Sequence, residues 1–476
     1  MARRAPPQVP PRLLERRRRL ARRGRLRQLP PSPPRAAALG DPLARRLLAA
    51  AGAVVPARPA APAPRLPGAG MTAARKVVFL RQQLLPVSET FVRAQAGSLS
   101  RWRASLVGLA RTTPSLDLSA VEHRSLFGAP AGPLRARLAR LAARTGLDQA
   151  WLAQVLRRER ADVLHVHFGV DLVRLWPALR HFSCPIVVTL HGYDIQVDTA
   201  WWDRGTGGAD LIGYHARLAE IARRPNVHIV AVSQAIRRRA LAVGLPDARL
   251  RVQHIGIDVR AFDPAPLPAA QRPPRVLFVG RLAEKKGLPL LLQAAARARQ
   301  GLAALQLRVV GDGEGRDRYQ ALAAELGLDC HFTGALDAAG VRTELAAARL
   351  LCLPSITAGN GDAEGLGMVL LEAQCAGVPV LTSARAGIEE GMLDGVTGCA
   401  FDEGDVERLA TLLHELLPDG ARLDRMAAAA RRYVREHHEL GACCAELERF
   451  YDGLVDGRQA PAATAGWVSP PRGAGS

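Results

Sequence analysis

The sequence predicts an α/β protein made of two doubly wound halves, each a mostly parallel sheet covered by helices. Three observations carry that expectation. Short apolar runs alternate with helical stretches along residues 75–455, the pattern of repeated strand and helix units. A Pro-rich connection, DPAPLPAAQRPP from Asp263 to Pro274, interrupts the alternation, as a linker between two such units does. In both halves strands run out into loops bearing Gly and charged residues, where open α/β sheets seat their ligands.

A chain of 476 residues with 48% hydrophobic content can bury a large core and has the length of two or three domains. The expected division is a disordered basic leader at 1–70, a first Rossmann-like half at 71–262 and a linker at 263–274. A second such half follows at 275–430, then a C-terminal helix returning to the first half at 431–456 and a disordered tail at 457–476. The net charge of +21 is uneven: residues 1–70 hold sixteen Arg against Glu15 and Asp41, a net of +14, which leaves +7 for the rest. This Arg-, Pro- and Ala-rich leader is too poor in periodic apolar residues to build a core. It is either a polybasic arm for anionic lipid or nucleic acid, or a disordered stretch ahead of a true start at Met71. Residues 75–455 carry nothing that asks for a nucleic-acid partner. Arg residues interrupt the apolar stretches of the leader, which argues against a secretory signal. No run approaches the roughly 20 apolar residues that span a bilayer. The seven cysteines are scattered and lack C-x-x-C spacing, so the chain reads as a protein of the reducing cytoplasm without a zinc site.

In the first half, KVVFL is a buried strand whose end leads into Leu85 to Phe91, with Ser88 expected to cap the next helix. A strand at Ala104 to Leu109 and a stretch without clear pattern precede PLRARLARLAARTG, Pro133 to Gly146. There Leu134, Leu138 and Leu141 share one helical face while Arg135, Arg137, Arg140 and Arg144 project mostly elsewhere. Such a helix either covers a core with a solvated face or lies on an anionic membrane. ADVLHVHFG is a strand that points His165 and His167 to the same side. A metal pair would need a third ligand, which is not evident, so one or both are expected to line the cleft between the halves. CPIVVTLHGYD ends in His191, Gly192, Tyr193 and Asp194, at the place of a ligand loop. Val227 to Val232 is a strand, Ser233 caps a helix from Gln234 to Val243, and LRVQHIGID is a strand ending at Asp258.

In the second half the strand Val276 to Val279 ends on Gly280, and Arg281 and Lys286 follow. An Arg fork beside a Lys point charge makes a clamp for a diphosphate. Further strands are expected at LQLRVVG, CHFTG and LLCLPS, with Gly311, Asp312 and Gly313 as turn chemistry and a helix near Ala338 to Ala348. The stretch PSITAGNGDAEGLGMVLLEAQCAGVPV, Pro354 to Val380, holds two carboxylates, Glu364 and Glu372. Between them Gly365 and Gly367 leave backbone N–H groups unshielded at a helix start, where an anionic phosphate is favoured. A helical region from about Val406 to Tyr451 closes the chain and is expected to brace the first half.

Taken together, G-R-L-x-x-x-K-G and E-G-L-G-x-x-x-L-E-A-x-x-x-G-x-P-V resemble the donor-binding half of the family-4 retaining glycosyltransferases, which have the GT-B fold. Pro86 to Phe91, P-x-S-E-T-F, is similar to the first loop of the members that build colanic-acid-type exopolysaccharides. The resemblance implies two Rossmann-like domains with a cleft between them, and transfer of a sugar with retention from a nucleotide-diphosphate sugar to a hydroxyl of a glycan or lipid-linked acceptor. It implies no metal and no other cofactor. Donor contacts would come from Gly280, Arg281, Lys286, Gly365, Leu366, Gly367, Met368 and Glu372, with Glu364 and His191 as catalytic residues and Glu89 and Thr90 on the acceptor side. The chain would work in the cytoplasm, peripherally on the inner face of the membrane. It departs from the family at Gly387, Ile388, Glu389 and Glu390, where Glu stands in the place of a usual Pro. A phosphorylase or epimerase of the same fold, or a non-catalytic sugar-nucleotide-binding protein, would share the architecture.

Overall fold

Runs such as Val77–Leu80 and Leu350–Leu353 are apolar at every position and wholly buried, which suits strands covered on both faces of a parallel sheet. In the computed structural model residues 74–86, 88–111, 115–127, 133–262, 266–383 and 386–457 are described. All of them belong to one unit, Ala51–Ser476. The leader, Met71, residues 263–265 of the linker and the tail after Gly457 lie outside the described residues.

The first sheet contains β1 (Lys76–Leu84), β2 (Arg103–Arg111), β3 (His123–Phe127), β4 (Val163–His167), β5 (Ile186–Leu190), β6 (Val227–Ala231) and β7 (Leu250–Val252). Its order is β3-β2-β1-β4-β5-β6-β7, with every pair parallel. The helices along this half are α1 (Thr90–Ser98), α2 (Pro133–Thr145), α3 (Leu147–Glu159), α4 (Gly169–Leu179), α5 (Tyr193–Gln196), α6 (Thr199–Asp203), α7 (Tyr214–Ala222) and α8 (Gln234–Ala242).

The second sheet repeats the plan with β8 (Arg275–Val279), β9 (Gln306–Val310), β10 (Cys330–Gly334), β11 (Leu350–Leu353), β12 (Val380–Ser383) and β13 (Gly398–Phe401). Its order is β10-β9-β8-β11-β12-β13, again all parallel. It is accompanied by α9 (Leu288–Ala298), α10 (Arg316–Glu325), α11 (Ala338–Ala347) and α12 (Met368–Cys375), and then α13 (Val406–Leu416), α14 (Gly420–His437) and α15 (Leu440–Val455). In both sheets the strand order reverses beside the first strand, between β1 and β4 and between β8 and β11. Loops leaving neighbouring strands at such a point diverge, and the crevice between them is where ligands bind.

Each sheet has its own core. Leu409, Leu413, Leu423 and Met426 of α13 and α14 pack into the second, whereas Leu447, Phe450 and Tyr451 of α15 complete the first. The chain crosses back at His438–Glu439, where Ile257 N–H donates to the His438 carbonyl at 2.7 Å and Leu440 N–H to that of Ile257 at 3.0 Å. Glu448 on α15 is fully buried, and its Oε1 accepts the backbone N–H groups of Ser100, Arg101 and Trp102 at 2.7, 2.7 and 3.1 Å. Leaving such groups unpaired in the interior would cost about 1–3 kcal/mol each, so the last helix is an integral part of the first half.

Several local expectations need correction. Helix α1 starts at Thr90 with Glu89 in the capping position and no side-chain cap, so Ser88 does not cap it. The stretch without pattern contains the edge strand β3, and β1 runs four residues beyond KVVFL, to Leu84. The strand expected to end at Asp258 is ordered as a ladder only over Leu250–Val252. The return to the first half begins at Leu440 rather than 431, because α14 continues unbroken to His437.

Candidate functional site

The crevice of the second sheet is built by the loops after β8 and β11. Gly280 N–H bonds to the Val310 carbonyl and Leu282 N–H to that of Asp312, both at 2.9 Å, laying the Arg281 loop against the loop after β9. Gly311 makes this fit, since a Cβ there would sit 1.9 Å from the Gly280 carbonyl oxygen. Gly287, in the left-handed region at φ 62°, likewise brings the turn Glu284–Lys286 against Pro354, whose carbonyl oxygen would lie 1.8 Å from an added Cβ. Only glycine permits both the conformation and the approach.

Two adjacent lysines then meet two acids across the crevice. Lys285 Nζ lies 3.1 Å from Asp362, and Lys286 Nζ 2.9 Å from Glu364 Oε1. Glu364 is 8% exposed. Burial alone would raise its carboxyl, but Lys286, with Lys285 and Arg281 behind it, outweighs that and holds it below its ordinary value. Asp362 differs: burial prevails over Lys285 and its carboxyl is raised. Arg281 is exposed and, among the described residues, has no ion-pair partner. Gly367 takes φ 72° at the cap of α12, whose first turn has no side-chain cap, so Met368 opens the helix with its N–H end bare. Leu366 is buried beneath that turn. Glu372, more than a turn into α12, is pushed up to about 7 by burial, opposed only by Arg342.

The first half faces this crevice with the loop after β5. Asp194, fully buried, accepts the N–H groups of His191, Gly192 and Gly169 at 3.0, 2.9 and 2.8 Å, which tightens the turn and presents His191. The two halves touch at Gly365. Ser233 Oγ donates to its carbonyl at 2.9 Å, and a Cβ on Gly365 would come within 1.8 Å of the His191 carbonyl oxygen. Glu364 and His191 are therefore brought together by backbone contact between the two halves. The carboxylate of Glu390 adds a second tie, accepting Gln234 N–H at 2.6 Å and bonding His254 Nε2 at 2.9 Å. Where the family has Pro, Glu389 occupies a short 3₁₀ turn, Ala386–Gly391, in which Glu390 can still reach across.

The His191 ring lies between Phe168 and Phe91, at centroid distances of 4.4 and 4.9 Å, and its Nε2 is 3.1 Å from His167 Nδ1. Burial pushes both imidazoles well below the ordinary histidine range, so both rings are neutral. His165 belongs elsewhere: it is fully buried, bonded to the Tyr451 hydroxyl and, through Nε2 at 2.7 Å, to Thr189. Of the two strand histidines, one or both of them expected at the cleft, His167 meets His191 and His165 lies in the core. Among the described residues no group of three or more His, Cys, Asp or Glu could hold a metal ion.

At the positions expected on the acceptor side, Glu89 is buried and its two carboxylate oxygens are taken by Arg81, with Nε at 2.9 Å. Arg81 also pairs with Asp171 and covers the Phe168 ring at 4.3 Å. Thr90, half-buried, begins α1. Sequence reasoning missed Asp362, Lys285, Ser233 and Arg81. The spacing K-K against D-x-E carried a signal for the first two, whereas Ser233 and Arg81 depend on contacts that only the fold creates.

Comparison with known proteins gives the family and the fold. Residues 259–433 match the family described as Glycosyl transferases group 1, and residues 88–261 match Glycosyltransferase Family 4. The chain is 30% identical to a GDP-mannose-dependent alpha-(1-6)-phosphatidylinositol monomannoside mannosyltransferase of Mycolicibacterium smegmatis, over 63% of this chain and 79% of that protein. It is 29% identical to the putative colanic acid biosynthesis glycosyltransferase WcaL of Escherichia coli, over 55% of this chain and 62% of the relative. The crystal structure of Anabaena Alr3699/HepE in complex with UDP and glucose shares the fold, with a TM-score of 0.65 and 21% identity over 79% of this chain and 99% of that one. With two parallel sheets in the GT-B arrangement and matches that together run from residue 88 to 433, the chain belongs to the family-4 glycosyltransferases, retaining enzymes of the hexosyltransferase type that move a sugar from a nucleotide sugar.

Proposed function

We propose that this enzyme passes the sugar to a hydroxyl of a glycan or lipid-linked acceptor in the synthesis of a cell-surface glycan, with the donor diphosphate on Arg281 and Lys286. The observation that carries the reading is the exposed Arg281, without an ion-pair partner among the described residues, beside the Lys286–Glu364 pair at a helix start with no side-chain cap. Departure of a nucleoside diphosphate builds negative charge on the leaving phosphate. Two cations and the bare N–H groups of α12 oppose that charge, and they do so more strongly as it grows. Glu364 orients the sugar hydroxyls from the second half and His191 supports the sugar from the first. Gly280, Gly365, Leu366, Gly367 and Met368 line the donor, and Glu372 accepts two neighbouring ribose hydroxyls. Because Glu89 is occupied by Arg81, it shapes the acceptor side by fixing α1, which leaves Thr90 for direct contact. Thermal shifts with a panel of UDP-, GDP- and ADP-sugars test the reading, since a ligand that binds only the folded state raises its stability. One nucleotide class is expected to stabilise the enzyme and to yield product. No shift with any member would overturn the proposal.

The pH dependence of donor binding follows from Glu372. Its carboxyl holds a proton up to about 7 instead of the ordinary 4.5, and only the ionised form can accept both hydroxyls. Donor affinity is therefore expected to increase as pH rises through that value, while stability of the free enzyme falls over the same window because the folded state binds the proton more tightly than the unfolded one. Glu372→Gln should weaken the donor and flatten the affinity profile, which calorimetric titration on either side of neutrality will detect. A pH-independent affinity in the wild type would contradict the assignment.

No helix among the described residues is long and apolar enough to cross a membrane. A lipid-linked acceptor would bring the enzyme to an anionic cytoplasmic surface, and α2 is suited to it, with Arg137, Arg140 and Arg144 exposed and Leu141 49% exposed beside them. Co-sedimentation with vesicles containing phosphatidylglycerol is expected, with loss of binding when these three arginines become Gln. Equal retention by pure phosphatidylcholine would refute an electrostatic dock.

A further inference from the structure

We infer that His167 is a positioning residue that fixes the tautomer of His191, so that His191 presents an Nδ1–H donor to its ligand. This rests on the reading of His191 as a residue that touches the sugar. The ring of His191 has little freedom between Phe168 and Phe91. Phe168 itself is held at φ 73°, a conformation uncommon for a residue with a side chain, and Arg81 lies over its ring. What remains to be set is which nitrogen of His191 carries the hydrogen.

Two neutral imidazoles share one hydrogen bond, from ring nitrogen to ring nitrogen over 3.1 Å. If His191 Nε2–H donated to His167 Nδ1, the hydrogen of His167 would sit on its Nε2. Among the described residues that buried atom has no partner, and it belongs to a residue only 1% exposed and stacked on His165 at 4.6 Å. A permanently orphaned donor would then lie in the interior. If instead His167 Nδ1–H donates to His191 Nε2, the deep nitrogen keeps only a lone pair, and the unmet donor moves to His191 Nδ1. This atom too is buried and without a partner, but it belongs to the half-buried residue at the contact with Gly365, where a bound ligand can accept from it. The second arrangement leaves no unmet donor once the site is filled, because orphaned N–H groups are the rarer and costlier defect. The ligand atom it selects is an acceptor oxygen of the sugar. The strand positions make the pair possible: β4 and β5 are neighbours with His167 opposite Thr189, so the residue two beyond Thr189 turns back over the end of β4.

The test replaces His167 by residues of known hydrogen-bonding sense. Asn puts an amide N–H donor near the position of Nδ1, Asp puts an acceptor there, and Phe keeps the ring without either. His167→Asn is expected to recover most of the turnover that His167→Phe and His167→Asp lose, a difference of about tenfold in kcat, the worth of one hydrogen bond, with the donor KM little changed. In ¹⁵N-histidine spectra the His191 signals should report an Nδ1–H ring in the wild type and in His167→Asn, and an Nε2–H ring in His167→Asp. An Nε2–H ring in the wild type, or equal activity of the Asn and Asp variants, would overturn the inference. His191→Phe separates the two levels of the argument. Full activity in that variant would refute the sugar-contacting role of His191, while the wild-type spectra would still decide its tautomer.

Discussion

Arg281→Ala is expected to lower kcat by about 10²- to 10³-fold, the usual cost of removing one preorganised group that stabilises transition-state charge, without loss of folding stability. The side chain is exposed and has no ion-pair partner among the described residues, and its loss leaves Glu364 with the nearer charges of Lys286 and Lys285. Lys286→Ala should lose activity to a similar extent for a different mixture of reasons. Lys286 is the partner of a buried carboxylate, and breaking a buried pair by removing one member typically costs about 3–5 kcal/mol. Lys285 and Arg281 also act on Glu364, which places the expected loss at or below the lower end of that range. The pH sign follows. In the wild type the lowered Glu364 carboxyl contributes stability above its ordinary pKa that is lost as acid protonates it. Without Lys286 burial gains on the remaining cations and that contribution shrinks. Denaturant titrations of the two variants, alongside kcat, separate the roles. A folded Arg281→Ala enzyme with normal turnover would rule out the clamp.

Gly365→Ala is the second large effect. Its new Cβ would lie 1.8 Å from the His191 carbonyl oxygen, and the Gly365 carbonyl is itself hemmed in by Ser233 and Gly387. The loop has no free direction, so the contact between the halves must open. A displacement of the order of 1 Å between groups that act on one substrate can cost about 100-fold in rate, and at least that loss is expected. The strain falls on this loop while the strands of both sheets keep their packing, so the loss of rate should exceed the loss of stability. Gly359→Ala in the same loop is the control, because its nearest neighbour would be 3.8 Å away. Comparable kinetics for the two variants would show that contact at Gly365 does not shape the site.

The sequence disclosed the architecture wherever burial is two-sided, since runs such as Val77–Leu80 or Leu350–Leu353 leave little choice but an interior strand. It hid β3 and β13, short strands at sheet edges: HRSLF has one buried position among its five, and GCAF begins on a glycine that must pack against Val380. In the site, residues close in sequence could be grouped from their order alone, as with Gly280 to Lys286 and Glu364 to Glu372. Partnerships between strands could not. His167 meets His191 because of the register of β4 with β5, and His165 meets Tyr451 because the chain returns after His438; neither is encoded in local spacing. Ser88 looked like a cap because Ser accepts N–H groups well, yet the helix begins two residues later with Glu89 committed to Arg81.

The central claim is that the diphosphate sits on Arg281 and Lys286 while Glu364 serves the sugar. Calorimetric titration of UDP and of GDP, without any sugar, into the wild type, Arg281→Ala and Glu364→Gln tests it most directly. One site is expected for one of the two nucleotides, weakened by about tenfold or more in Arg281→Ala, as befits a lost charge-assisted contact. In Glu364→Gln affinity should be unchanged or tighter, because Lys286 is released from its partner, even though that variant transfers sugar poorly. Undiminished nucleotide affinity in Arg281→Ala, or its loss in Glu364→Gln, would contradict the account.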